Sequence, residues 1–113
     1  MVYGRPKKNL TYDTLLKCGY TGKVYFVGDD TDSEIDGYRN LHGDNLLVFN
    51  KREVAKKYDS GDNSGDLRST MFAANTIFDL AEEKGIEYFY IMADDYYEFN
   101  FMFPNKKKWS VFV

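Results

Sequence analysis

The chain has a single cysteine, Cys18, so no internal disulfide can form. A lone thiol fits a reducing compartment. It has one histidine, His42, and lacks a Ser-His-Asp set, a GxGxxG turn, a Walker loop and any Cys/His spacing suited to zinc. No apolar run reaches transmembrane length, and the amino terminus has no signal-peptide pattern. The expected setting is the cytoplasm, with no membrane partner. Charge of one sign is also lacking: 15 basic and 18 acidic residues are interspersed, for a net charge of −3. Broad electrostatic capture of nucleic acid is thereby excluded, though a small basic patch is not.

What is present is aromatic. Ten tyrosines and nine phenylalanines give 113 residues enough apolar payload for one domain with one core. Val2 and Tyr3 read as the end of a short strand, broken by Gly4-Arg5-Pro6. Residues 11–18 have helical spacing, with Thr11 or Asp13 as cap and Gly19 as stop. Residues 23–27 (KVYFV) predict a second strand ending at Gly28, and residues 33–39 a short helix with Ser33 near its cap. Residues 45–49 predict a third strand and 51–58 a helix, followed by a polar loop over 59–66. The longest helical pattern, 67–84, carries Met71, Ala74, Phe78 and Ala81 as a stripe widened by Ile77 and Leu80, and Gly85 ends it. Residues 88–92 (YFYIM) form an apolar run that reads as a buried fourth strand. Residues 97–103 and 109–113 alternate around Pro104-Asn105 and read as a C-terminal β-hairpin. Strands alternating with helices imply an α/β fold with a mostly parallel sheet.

Open α/β sheets bind ligands at the carboxyl ends of their strands. Asp94 and Asp95 follow the fourth predicted strand. Paired oxygen ligands there suit Mn²⁺ or Mg²⁺ carrying a phosphorylated substrate, and a solvated turn accounts for the same residues. Asp29, Asp30 and Asp32 follow the second strand, where a carboxylate can accept from a base or ribose. Asp32 equally suits a helix cap beside Ser33. Gly4, Arg5, Lys7 and Lys8 follow the first strand; Arg5 suits phosphate oxygens, Gly4 allows close backbone approach, and the lysines suit solvent. Asp62, Asp66, Arg68 and Asn75 belong to the loop and long helix before the fourth strand. Arg68 lies near an amino end that favours anions, and Asn75 is either a substrate contact or an internal brace. Cys18 reads as a small core residue, and His42, in a polar loop, as non-catalytic.

The segments YGRPKKNLTYDTLLKCGYTGKVYFVGDDTDSE, DNLLVFNK and FAANTIFDLAEEKGIEYFYIMADDYYEF resemble the amino-terminal half of phage-type glycosyltransferases, nucleotide-diphospho-sugar enzymes akin to families that modify DNA bases. The resemblance implies a Rossmann-like GT-A three-layer sandwich spanning residues 1–113 as one nucleotide-sugar-binding domain, shortened relative to the family. It implies a UDP-sugar-like ligand held by Tyr3, Gly4, Arg5, Asp29, Asp30, Arg68, Asn75 and Asp94, with Asp94 and Asp95 on a divalent ion. It implies DNA as acceptor, and a host-cell cytoplasm for a phage-encoded protein. Two departures stand out: Ala93 replaces the first of three aspartates, and Ala74-Asn75 replaces an Arg-Asn pair. Three readings follow. One is a metal-dependent glycosyltransferase, another a non-catalytic binding module with the hairpin aromatics as an oligomer surface. The third is a nucleotidyltransferase using the same donor architecture.

Overall fold

The computed structural model describes residues 1–57, 71–102 and 108–110. Helix α1 spans Leu10–Lys17, strand β1 Phe26–Asp29 and helix α2 Ile35–His42. A 3-10 turn at Gly43–Asn45 leads into β2, Leu46–Phe49, followed by α3, Lys51–Lys57, and α4, Met71–Glu83. Strands β3, Asn100–Met102, and β4, Lys108–Ser110, close the order. The chain is α/β, and no helix among the described residues is long and apolar enough to cross a membrane.

Strands β1 and β2 pair in parallel, with Phe26 opposite Leu46 and Asp29 opposite Phe49. Because successive residues of a strand face opposite sides, the pair builds two cores. Phe26 and Leu46 pack with Val2 and the fully buried Tyr38, flanked by Tyr12 and Ile35. Val27 and Phe49 pack with Ile77, flanked by Val54, Ala73 and Leu80. Asp29 follows Val27 at the period of two, which places it on the α3 side. Burying a large side chain such as Tyr38 contributes roughly 1.5–3 kcal/mol.

Several expectations need correction. The second strand begins at Phe26, not Lys23, because pairing starts only opposite Leu46, and Gly28 lies inside it. A Cβ at Gly28 would stand 2.8 Å from Ile35 Cδ1, so α2 packs where a side chain would be. Helix α1 is capped by Asn9, whose side chain accepts from the Tyr12 N–H at 2.9 Å, rather than by Thr11 or Asp13. Helix α2 starts at Ile35 without a side-chain cap. Asp32 bonds the preceding turn instead, accepting from the Glu34 N–H at 2.9 Å. Phe78 is 61% exposed, so the packed face of α4 runs through Ala73, Ile77, Leu80 and Ala81.

The first and fourth predicted strands have no regular secondary structure and join no strand pairing among the described residues. Val2 donates to the Val27 carbonyl at 2.9 Å, and the Met1 ammonium donates to the Met92 carbonyl at 2.8 Å. The order across this region is therefore β2, β1, the amino-terminal residues, then residues 88–93. The last segment is not buried as expected. Tyr88 and Tyr90 are 90% and 92% exposed, while Phe89 and Ile91 are 37% exposed. That is the alternation of an outer segment, and tyrosine tolerates the wet side through its hydroxyl. Between it, α1, β1 and α4 lies a cavity of about 870 Å³ lined by Leu15, Phe26, Leu80 and Ile91 among others. Strands β3 and β4 pair antiparallel, Phe101 opposite Trp109. The expected turn at Pro104-Asn105, the loop at 59–66, Arg68 and the start of the long helix lie outside the described residues.

Candidate functional site

Three consecutive residues, Tyr3, Gly4 and Arg5, meet Lys51, Asp32 and Asp94 in turn. Gly4 has φ +71°, a conformation glycine adopts without steric cost, with open space where a Cβ would be. Its N–H donates to Asp32 Oδ2 at 2.8 Å, and Asp32 is only 3% exposed. The Arg5 N–H donates to the Tyr38 hydroxyl at 2.8 Å. Burial pushes the Tyr38 phenol above its ordinary range, so the oxygen stays protonated. The Arg5 guanidinium reaches Asp94 Oδ1 at 2.6 Å, across 89 positions of sequence. Tyr3 places its ring under the Lys51 ammonium, 5.7 Å from the ring centroid.

Asp94 is held in place by its own backbone. Its carbonyl accepts from the N–H groups of Leu10 and Thr11 at 3.0 and 3.4 Å, at the start of α1. Thr11 Oγ1 donates to the Ala93 carbonyl at 2.6 Å and accepts from the Tyr96 N–H at 2.9 Å. Thr14 Oγ1 lies 3.0 Å from the Tyr96 carbonyl and 2.8 Å from that of Leu10. Thr11 and Thr14 thus dock residues 93–96 on α1. Asp95 is exposed beside this anchor.

On the other side, Asp29 is 4% exposed and fully engaged. One oxygen accepts from the N–H and hydroxyl of Thr31, the other from Lys51 Nζ at 3.1 Å. Asp30 is exposed and accepts from the Lys51 N–H at 3.0 Å, capping α3. The structure therefore gathers Tyr3, Gly4, Arg5, Asp29, Asp30 and Asp94 around one turn. Asn75 is half-buried on α4 and makes contacts of its own, while Arg68 lies outside the described residues. Asp32 turns out to brace Gly4 as well as its own turn. Lys51, Tyr38 and Thr11 were missed as site residues. The only sequence signal for Lys51 was its place just beyond β2, at the same sheet edge as Asp29.

The chain's relatives are found at the level of the family. A family model described as TET-Associated Glycosyltransferase matches residues 2–112. The chain belongs to that family. Membership places it among glycosyltransferases as a class. No curated protein and no solved structure matches it significantly. In this family member the basic turn and the acidic loop ends meet in space as well as in sequence order.

His42 lies apart from this turn. It ends α2 and stacks on Phe26, ring centroids 3.6 Å apart, with Tyr12 and Tyr38 nearby. Its Nε2 is buried without a hydrogen-bond partner among the described residues, and burial lowers its pKa from the ordinary 6.5.

Proposed function

We propose that the protein binds a nucleotide sugar, UDP-sugar-like, as the donor half of a GT-A-type glycosyltransferase, completing a Rossmann-like sandwich around β1 and β2. The acceptor in this reading is a hydroxymethylated base of phage DNA, which accords with the resemblance to DNA-modifying families. The observation that carries the reading is the Arg5–Asp94 pair beside Gly4. A guanidinium beside a glycine with open space above it is suited to bidentate contact with a diphosphate. Asp94, held by α1, keeps that guanidinium oriented when no phosphate is present.

The donor set fits a divalent cation only in part. Among the described residues no group of three or more His, Cys, Asp or Glu could hold a metal. Mg²⁺ and Mn²⁺, however, commonly take one or two carboxylates and complete their shell with water and substrate phosphates. Asp94 and Asp95 would supply those carboxylates. When bound, the ion neutralises charge developing on the departing diphosphate. Arg5 adds positive charge to the same oxygens, and Tyr3 with Asp29 and Asp30 flank the nucleoside end.

Calorimetric titration with UDP-glucose and Mn²⁺ tests this. The expected result is metal-dependent heat that Asp95→Ala abolishes. No heat with any nucleotide sugar, with or without metal, overturns the donor reading, and unchanged affinity in Asp95→Ala overturns the metal role. A second reading, a non-catalytic nucleotide-sugar module, is favoured by Ala93, which offers no carboxylate where the resembled pattern has an aspartate. Release of UDP on adding hydroxymethylated DNA separates enzyme from module.

A further inference from the structure

Lys51 is an unusual residue for its position. It opens α3, where a cation faces the positive end of the helix dipole. Its side chain is 11% exposed, and its partner Asp29 is 6% exposed. Desolvating both charges offsets most of their attraction, so such a pair adds little stability over an apolar pair of the same size. What it does add is geometry. Asp29 Oδ1 is taken by Thr31 and Oδ2 by Lys51, which leaves Asp29 a support rather than a direct ligand contact. The ammonium it holds lies over the Tyr3 ring, 5.7 Å from the centroid. That ring is still 56% exposed, and the next residue but one is the phosphate-suited Arg5.

We propose that Lys51 is a positioning residue that fixes Tyr3 as the stacking platform for the donor's nucleoside. The site then has two halves joined by Gly4. Tyr3, Lys51 and Asp29 serve the nucleoside, while Arg5, Asp94 and Asp95 serve the diphosphate. A cation against an aromatic face restrains the ring by cation–π attraction. A restrained ring loses less freedom when a base stacks on it. The assignment rests on the nucleotide-sugar reading of the same turn.

The test compares UDP with inorganic diphosphate, both with Mn²⁺, by calorimetry on the full chain. Lys51→Met weakens UDP about tenfold, the scale of one base–aromatic stack, and leaves diphosphate affinity unchanged. Lys51→Arg keeps the charge on Asp29 and the contact with the ring, and restores UDP affinity. Tyr3→Leu, at an exposed position where the fold is not at stake, reproduces the Lys51→Met loss. Adding Lys51→Met to it costs nothing further, because both changes remove one platform. Should Lys51→Met fail to fold, Tyr3→Leu and Lys51→Arg carry the test. The proposal is overturned by a folded Lys51→Met or a Tyr3→Leu that binds UDP like wild type. Equal loss of UDP and diphosphate overturns it too. Wild-type protein that binds neither probe overturns the donor reading itself, whereas wild type binding UDP alongside an equally competent Lys51→Met overturns the Lys51 assignment alone.

Discussion

Replacing Asp32 by asparagine keeps its shape and size but should damage the protein almost as much as replacing it by alanine. Asp32 is 3% exposed, and its two oxygens accept from two different N–H groups, Gly4 at 2.8 Å and Glu34 at 2.9 Å. Asparagine offers one acceptor and turns the other position into a donor facing a donor. Hydrogen bonds to a charged acceptor contribute about 1.5–3 kcal/mol each. Gly4 and Glu34 are both exposed, so their N–H groups regain water when the acceptor goes. That brings the expected loss for the pair down to about 2–3 kcal/mol. For a domain near 100 residues each kcal/mol lowers the melting temperature by about 4–8 °C, so a fall of roughly 10–20 °C follows. Thermal melts followed by circular dichroism at neutral pH read this directly. An Asp32→Asn protein melting within about 4 °C of wild type would refute the two-acceptor account, and with it the claim that Asp32 holds the Gly4 turn.

Two further outcomes concern the core. Burial lowers the His42 pKa below its ordinary 6.5, so the folded state binds fewer protons than the unfolded chain. The stability this group contributes is complete above the unfolded value and is lost as pH falls from there towards the folded value. His42→Phe, which preserves the stack on Phe26, should flatten the decline in melting temperature as pH falls below the ordinary histidine value of 6.5; an unaltered slope would show that other groups cause it. Gly28→Ala places a Cβ 2.8 Å from Ile35 Cδ1 and should cost about 1–2 kcal/mol by overpacking. Adding Ile35→Val should recover part of that loss, and strict additivity in urea denaturation would contradict the contact.

Local chemistry made some of the fold readable. Helix α1 is offset by one residue from its predicted span, since its apolar spacing and Gly19, at φ +78°, bound it in sequence. Its cap was misread because Thr11 looks like a local cap, yet its hydroxyl serves residues 82 and 85 positions away. The parallel pair β1–β2 was readable from two apolar, β-branched runs, but its start was set by where Leu46 finds a partner. Residues 88–92 show where pattern alone fails. An apolar aromatic run looks the same buried on two faces or lying outermost, and what ties this one to its neighbours, the bond from Met1 to Met92 and the edge-on contact of Phe89 with Phe78, is invisible in the pattern. The meeting of Arg5 with Asp94 was foreseeable from one rule, that loops at the carboxyl ends of parallel strands share a rim. Lys51 was not foreseeable, because a lysine opening a Lys/Arg/Glu-rich helix reads as solvated until its burial is known.

The arrangement of the turn also constrains how any ligand must be received. Asp32 and Tyr38 bind the main chain of Gly4 and Arg5, not their side chains. The backbone of the turn is therefore braced, while among the described residues the half-exposed Arg5 guanidinium is held by Asp94. Only the Arg5 side of the pair is open, since its side chain is 50% exposed and that of Asp94 11%, so in the proposed reading a phosphate takes the guanidinium only as a cation takes over the Asp94 charge. Asp94 itself would then be freed to share a cation with Asp95. In the proposed nucleotide-sugar reading, the same two side chains neutralise each other in the empty turn and face the diphosphate together when it is filled. In that reading the exchange requires the main chain to stay put, so the buried Asp32 would matter to binding as much as to folding.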